Sequence, residues 1–206
     1  PQLELVKSPS EDWTELKQRY NIQEPYVVAF GGGAIHKNIP TLLRAFARVS
    51  HSLPHNLVLI GHLPPNVTIS TFEKLGLQSR VVTTGYVPAS HVAPLLGHAD
   101  LFVLPSLYEG FGLPVLEAQQ ADVAVACSTA GSLPEVAGEG AVFFDPNSVE
   151  AMAETMLRCL SDPDLRAELR KNGQENLKRF SWEKTALETL AVYQQILYSA
   201  ERRCIS

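Results

Sequence analysis

The residues Tyr108-Glu109-Gly110-Phe111-Gly112-Leu113-Pro114-Val115-Leu116-Glu117-Ala118 set two carboxylates around a turn rich in glycine. Pro114 suits the first turn of a helix, where its missing N–H is one that no helix bond would use. Gly110 and Gly112 open the backbone, so the amides of Phe111, Gly112 and Leu113 can face an anion at the positive end of that helix. Two carboxylates beside a bound phosphate would repel it. Glu109 on the loop side and Glu117 about a turn inside the helix are therefore better suited to accept hydrogen bonds from hydroxyls. A ligand with a diphosphate centre and hydroxyl-rich ends, a nucleotide sugar, meets both demands. Taken alone, the segment leaves a plainer reading open, in which Glu117 is a solvated helix residue and Glu109 an N-terminal charge.

A second segment, Gly31-Gly32-Gly33-Ala34-Ile35-His36-Lys37-Asn38, leads from an apolar run into a helical pattern. Glycines let a backbone approach phosphate, and Lys37 adds a point charge at the helix entrance. A dinucleotide fingerprint would need a glycine where His36 stands and an acidic residue where Gly61 and His62 stand, which disfavours nicotinamide cofactors. A Walker-type loop would need Ser or Thr in place of Asn38 to reach magnesium. Both motifs fail, and a plain tight turn with an exposed lysine remains the alternative.

The elements that must position these segments follow from the apolar pattern. Tyr26–Phe30, Leu57–Ile60, a run from Val81-Val82, Leu101–Leu104, Val123–Ala126 and Ala141–Phe144 are short and apolar throughout, as strands buried on both faces are. The gaps between them fit crossovers rather than hairpins. Asn38 is placed to cap a helix whose apolar face is Leu42, Leu43, Phe46 and Val49. Ser8, Pro9 and Glu11 predict an earlier helix start, running through Tyr20. After Asp145 the pattern is helical only, with starts after Ser148, after Asp162 and at Ser181. The expectation is a doubly wound, Rossmann-like α/β parallel sheet of about six strands, with helices on both faces and a helical C-terminal tail. Ligands of such sheets bind beyond the carboxyl ends of the strands, here after Phe30, Ile60, Thr84, Leu104 and Ala126.

Composition bounds the function. The chain has 206 residues, a net charge of −5 and 45% hydrophobic residues, a globular balance that argues against a phosphate-contacting nucleic-acid partner. No apolar run approaches the ~20 residues of a membrane span, and no apolar signal segment opens the chain. Cys127, Cys159 and Cys204 are too scattered for a disulfide framework or a metal site, so a reducing, cytoplasmic setting is the expectation. Asp162-Pro163-Asp164 reads as a turn and cap ahead of a helix rather than a metal signature. His51, His55, His62, His91 and His98 lack paired metal-site spacing and read as surface or cap residues. Trp182, Leu187, Leu190 and Tyr193 form one helix face, either core or a docking surface.

The Glu-x7-Glu block around Gly-Phe-Gly-Leu-Pro, with Pro105-Ser106 before it, resembles retaining glycosyltransferases of family 4. Those enzymes are built of two Rossmann-like domains with the active site between them. The resemblance covers most of the chain: Tyr26 to Arg48, Gly85-Tyr86-Val87-Pro88, Gly131-Ser132-Leu133-Pro134-Glu135-Val136 and Phe180-Ser181-Trp182 match further family landmarks in order. It implies a C-terminal, donor-binding domain. Glu109 would bind hydroxyls of the transferred hexose and Glu117 those of the ribose, so that Glu109 would act on sugar-bearing ligands only. Phe111, Gly112 and Leu113 would offer amides to sugar and diphosphate, with Gly110 freeing the turn. Lys37 would pair with the diphosphate beside Gly31, Gly32 and Gly33, and Val87 would lie near the base through its backbone.

On this reading Glu109 and Lys37 are the catalytic pair, the donor is GDP- or UDP-linked, and neither a cofactor nor a metal is needed. The leaving nucleoside diphosphate would depart from the face that the acceptor hydroxyl enters. The family's arginine after the first-loop glycine has no counterpart at Gly32 or Gly33. The acceptor-binding N-terminal domain is expected to be a separate partner, absent from this chain. Any peripheral membrane association would come only through the full-length enzyme. The expected layout is 1–24 as a linker-like segment and first helix, 25–180 as the nucleotide-sugar-binding domain and 181–206 as the C-terminal helix. The isolated half would bind donor without transferring it. The alternatives are a non-catalytic nucleotide-sugar-binding subunit of a split enzyme and an epimerase-like domain. The hydroxyl-clamping carboxylates speak against the epimerase, which needs acid–base groups.

Overall fold

The apolar run Tyr26–Phe30 forms β1 and lies between β2, Asn56–Ile60, and β4, Leu101–Leu104. In this computed structural model, which describes residues 12–204, β3 (Val81–Thr83), β5 (Val125–Ser128) and β6 (Ala141–Phe144) complete one sheet. Its order is β3-β2-β1-β4-β5-β6, and every pairing is parallel. This is the doubly wound, Rossmann-like arrangement, whose direction of winding reverses between β1 and β4.

The helices in chain order are α1 Trp13–Arg19, α2 Ile39–Val49, α3 Ile69–Leu75, α4 Ala89–Gly97, α5 Leu113–Gln120, α6 Leu133–Ala137, α7 Val149–Ser161, α8 Pro163–Leu177 and α9 Trp182–Cys204. Successive strand side chains point to opposite faces. Val27, Ala29, Leu57, Leu59 and Val103 therefore pack with Leu42, Phe46, Met152 and Met156 on one face. Tyr26, Val28, Val58, Phe102 and Leu104 pack with Leu95, Val115 and Ala118 on the other. The strands are apolar throughout because helices cover both faces.

Several local expectations change. The Ser8–Pro9–Glu11 start lies outside the described residues, and the described part of the first helix opens on Asp12, whose side chain accepts from the Thr14 amide. The fifth strand begins two residues after Val123, because the turn through Asp122 in the left-handed region (φ 59°) delivers the chain to the sheet later. His55 and His91 are buried rather than surface groups. His55 Nε2 lies 3.0 Å from Asp100 Oδ2, and Tyr20 Oη lies 2.6 Å from His91 Nδ1. Cys127 and Cys159 are buried free thiols, pushed up to about 12 and about 11 by loss of solvent. Asp162 and Ser148 cap α8 and α7, accepting from the Leu165 and Ala151 amides. Among the described residues no helix is long and apolar enough to cross a membrane. The face of Trp182, Leu187, Leu190 and Tyr193 is exposed and is not core.

Asn38 departs most instructively from its expected role. It stands at the start of α2 with φ 55°, and its side chain does not cap the helix. Its Nδ2 instead donates to the carbonyls of Pro105 (3.0 Å) and Pro146 (2.8 Å), tying the loops after β4 and β6 to the loop after β1. An asparagine tolerates this backbone better than most residues. Asn38→Ala leaves two carbonyls without their donor and strains the backbone, so it should destabilise the fold by about 2–4 kcal/mol. Asn38→Gly should recover about 1 kcal/mol of that. Urea unfolding of both variants measures the difference, and equal losses would remove the backbone contribution.

Candidate functional site

The reversal of winding places the loops after β1 and β4 side by side at the carboxyl edge of the sheet. Three contacts join them. The Leu107 amide donates to the His36 carbonyl at 2.7 Å, Asn38 holds the Pro105 carbonyl, and Lys37 Nζ donates to Glu109 Oε1 at 2.8 Å. Lys37 lies in a short 3-10 turn, Ile35–Lys37, which aims its side chain across the junction. Ser106, fully buried, donates its hydroxyl to the same Glu109 Oε1 at 2.7 Å. Ser128 at the end of β5 donates in turn to the Ser106 carbonyl at 2.6 Å. Ser132 Oγ donates to the carbonyls of Glu109 (3.2 Å) and Phe111 (2.7 Å), bracing the turn from the β5 side.

The sequence segments thus meet largely as expected. Gly31 continues the β1 edge, its amide donating to the Ile60 carbonyl at 2.7 Å. Gly32 has φ 144°, while Gly33 faces open space. Gly110 is likewise open, and Gly112 precedes α5 with φ 107°. A side chain at Gly112 would also strike Leu133, its Cβ coming within 2.7 Å of Cδ2. Among the described residues the amides of Phe111, Gly112 and Leu113 donate to no protein acceptor, which leaves them for a ligand at the start of α5. Val87 stands apart from the ion pair, in the loop after β3, half-buried against the apolar cluster below it. An antiparallel bridge between Gly61 and Gly85 joins that loop to the one after β2.

The two glutamates differ electrostatically. Burial alone would push the Glu109 carboxyl up, but the hydrogen bonds from Lys37 and Ser106 and the charges of Lys37 and His36 outweigh it and hold it low. Glu109 is thus held in its ionised form more firmly than an ordinary carboxyl. Glu117 is half-buried, and burial pushes its carboxyl up against the opposing pull of the Lys37 charge. No side-chain hydrogen bond reaches it among the described residues.

Sequence reasoning did not single out Ser128, and it carried Ser106 and Ser132 only as landmarks. A small hydroxyl residue in or next to a strand gives no signal of the acceptor it will meet. Phe111 meets the Phe180 ring edge-to-face at 6.0 Å, and the Arg179 guanidinium lies 5.1 Å from the centre of that ring. An apolar pocket opens there between Phe111, Leu113, Leu116, Phe180, Trp182 and Thr185, joining the α5 turn to the start of α9.

A parallel sheet wound in both directions from one reversal, with helices on both faces, defines the class of Rossmann-like α/β domains. The chain itself belongs to the family "Glycosyl transferases group 1", whose signature matches residues 12–176. It is 33% identical over 194 residues to O-antigen chain mannosyltransferase B of Escherichia coli, covering 92% of this chain and 51% of that protein. The chain spans between about a quarter and about half the length of the curated relatives it matches. Sucrose-phosphate synthase from Thermosynechococcus elongatus superposes with a TM-score of 0.78 at 27% identity, over 97% of this chain and 51% of that one. The C-terminal domain of a glycosyl transferase group 1 family protein (LpcC) from Francisella tularensis has the same fold, with a TM-score of 0.70 at 24% identity. That likeness covers 83% of this chain and 93% of that one.

The Glu117 environment sets a pH dependence. A carboxyl whose folded value is raised contributes stability below its unfolded value and loses it as pH rises through the folded one. Glu117→Gln should therefore gain thermal stability relative to wild type as pH rises above about 4, the ordinary glutamate value. A Tm difference independent of pH would show that the Glu117 charge is not held at a disadvantage.

Proposed function

We propose that this chain is the C-terminal, donor-binding half of a retaining glycosyltransferase that takes a hexose from a GDP- or UDP-linked sugar. The observation that carries the reading is the arrangement at the winding reversal. Lys37, the free amides of Phe111, Gly112 and Leu113, and two carboxylates that both feel the Lys37 charge lie together at the carboxyl edge. The cation and amides suit a diphosphate, Glu117 a ribose and Glu109 a hexose. Val87 would meet the base through its backbone. The names of relatives support the sugar class: O-antigen chain mannosyltransferase B at 33% identity and MMP alpha-(1->4)-mannosyltransferase at 35%.

In the proposed reaction the bond between the anomeric carbon and the diphosphate oxygen breaks, and a bond to the acceptor oxygen forms on the same face. The acceptor proton passes to the departing diphosphate. Lys37 and the α5 amides stabilise the charge that develops there, with no metal in the step. Holding the acceptor against the anomeric carbon would fall to a second domain, as the greater length of the relatives suggests. Such positioning is worth about 7–11 kcal/mol of a barrier, so the chain alone would bind donor and leave it intact. The exposed face of α9, with Leu187, Leu190 and Tyr193, would rest on that second domain.

The test is calorimetry with GDP, UDP, GDP-mannose, UDP-glucose and the bare nucleosides, alongside a donor-consumption assay. Saturable binding of one nucleotide series without turnover is the expected result. Lys37→Ala should weaken the nucleoside diphosphate by about 1.5–3 kcal/mol and spare the nucleoside. Adding a cation through Gly33→Arg should recover part of the loss, whereas Gly32→Arg should not, since φ 144° at Gly32 is strained for any side chain. Equal losses for nucleoside and nucleoside diphosphate, or turnover by this chain alone, would overturn the reading.

A further inference from the structure

Lys37 is not free. Its Nζ is held by Glu109 Oε1 at 2.8 Å, and both side chains are largely shielded, with 21% and 13% of their surface exposed. The Ser106 hydroxyl falls on the same oxygen, so Oε1 carries two donors, while Oε2 has no partner among the described residues. The carboxylate is thus anchored by one oxygen and keeps the other without a protein donor, in the turn that leads into the α5 amides. A nucleoside diphosphate entering that space must share its cation with a fixed negative charge. A hexose attached to the diphosphate can donate a hydroxyl to Oε2 and turn the same carboxylate into a favourable contact.

We propose that the anchored Glu109 carboxylate sets ligand selectivity at this site, opposing the free nucleoside diphosphate and favouring the sugar-bearing one. The inference rests on the nucleotide-sugar reading above and changes one part of it. Glu109 acts on both ligands with opposite sign, not on the sugar-bearing ligand alone. The physical basis is the asymmetry of a shielded charge, which repels an anion left beside it and is rewarded by a hydrogen-bond donor placed on it. The consequence for an enzyme of this kind is that spent nucleoside diphosphate leaves more readily than intact donor. Ser106 is a positioning residue in the device, because its buried hydroxyl falls on the same oxygen that Lys37 holds and leaves the other unpaired among the described residues.

The experiment compares wild type, Glu109→Gln and Glu109→Ala by calorimetry against GDP, UDP, GDP-mannose and UDP-glucose. Thermal unfolding checks that each variant is folded. Glu109→Gln keeps the shape of the side chain and one acceptor oxygen while removing its charge and turning the other position into a donor. Glu109→Ala serves the same purpose should the amide disturb the turn. The expected result is a free nucleoside diphosphate bound about three- to tenfold more tightly than by wild type, with the matching nucleotide sugar bound no more tightly or more weakly. Substitution of the exposed, remote Glu73 to Gln should move neither affinity.

Folded Glu109 variants that bind the nucleoside diphosphate unchanged or more weakly would overturn the proposal. So would an equal tightening of both ligands, which would show a general charge effect without selectivity. Wild type that binds none of the four ligands would instead remove the nucleotide-sugar reading itself.

Discussion

One ion pair, Lys37 with Glu109, spans the reversal of winding between β1 and β4. Around it the chain has built a fastening that no single element could supply. Asn38 grips the loops after β4 and β6, the His36 carbonyl takes the Leu107 amide, and the Ser128–Ser106–Glu109 chain reaches in from β5. Parallel strands leave a crevice at such a reversal because no connection crosses it. Here the crevice floor is polar and fixed, which is the condition for holding an anionic ligand in one orientation. The pair itself adds little to stability, since desolvating two charges consumes most of what their attraction returns. Its effect lies in geometry and field.

Charge is distributed across the site with a purpose that stability alone does not explain. Glu109 is held low by the hydrogen bonds from Lys37 and Ser106 and by the Lys37 charge, whereas Glu117 is half-buried without a side-chain hydrogen bond among the described residues. The free amides at the start of α5 add an unpaired positive end between them. A fold selected for stability alone would satisfy these groups internally. Their incompleteness is matched by what a diphosphate flanked by hydroxyls would supply, and it agrees with membership of a glycosyl transferase family.

The sheet was legible because burial on both faces forces strands of unbroken apolar residues, and β1, β4 and β6 coincide with the runs that announce them. Short helices such as α3, α4 and α6 left weaker traces, since five to nine residues carry little periodicity. The turn at Glu109–Leu113 was legible from glycine and proline chemistry, which is local. Asn38 was not: its sequence position matches a helix cap, while its two acceptors lie 67 and 108 residues away. Lys37 and Glu109 could be assigned separately to one site, but their direct pairing, at a separation of 72 residues, required the register of β1 against β4. His55 and His91 were misplaced on the surface for the same reason, their partners Asp100 and Tyr20 being distant in the chain.

The central claim is that the carboxyl edge between β1 and β4 receives a nucleotide sugar, and backbone amide NMR tests it most directly. Titrating the isotope-labelled chain with the nucleotide sugar that binds should shift the amides of Gly32, Gly33, Lys37, Val87, Phe111, Gly112 and Leu113. The same titration should leave the amino edge of the sheet, around His55 and Asp100, unmoved. Saturable shifts confined to the amino edge or to α9, with the α5 turn silent, would contradict the claim.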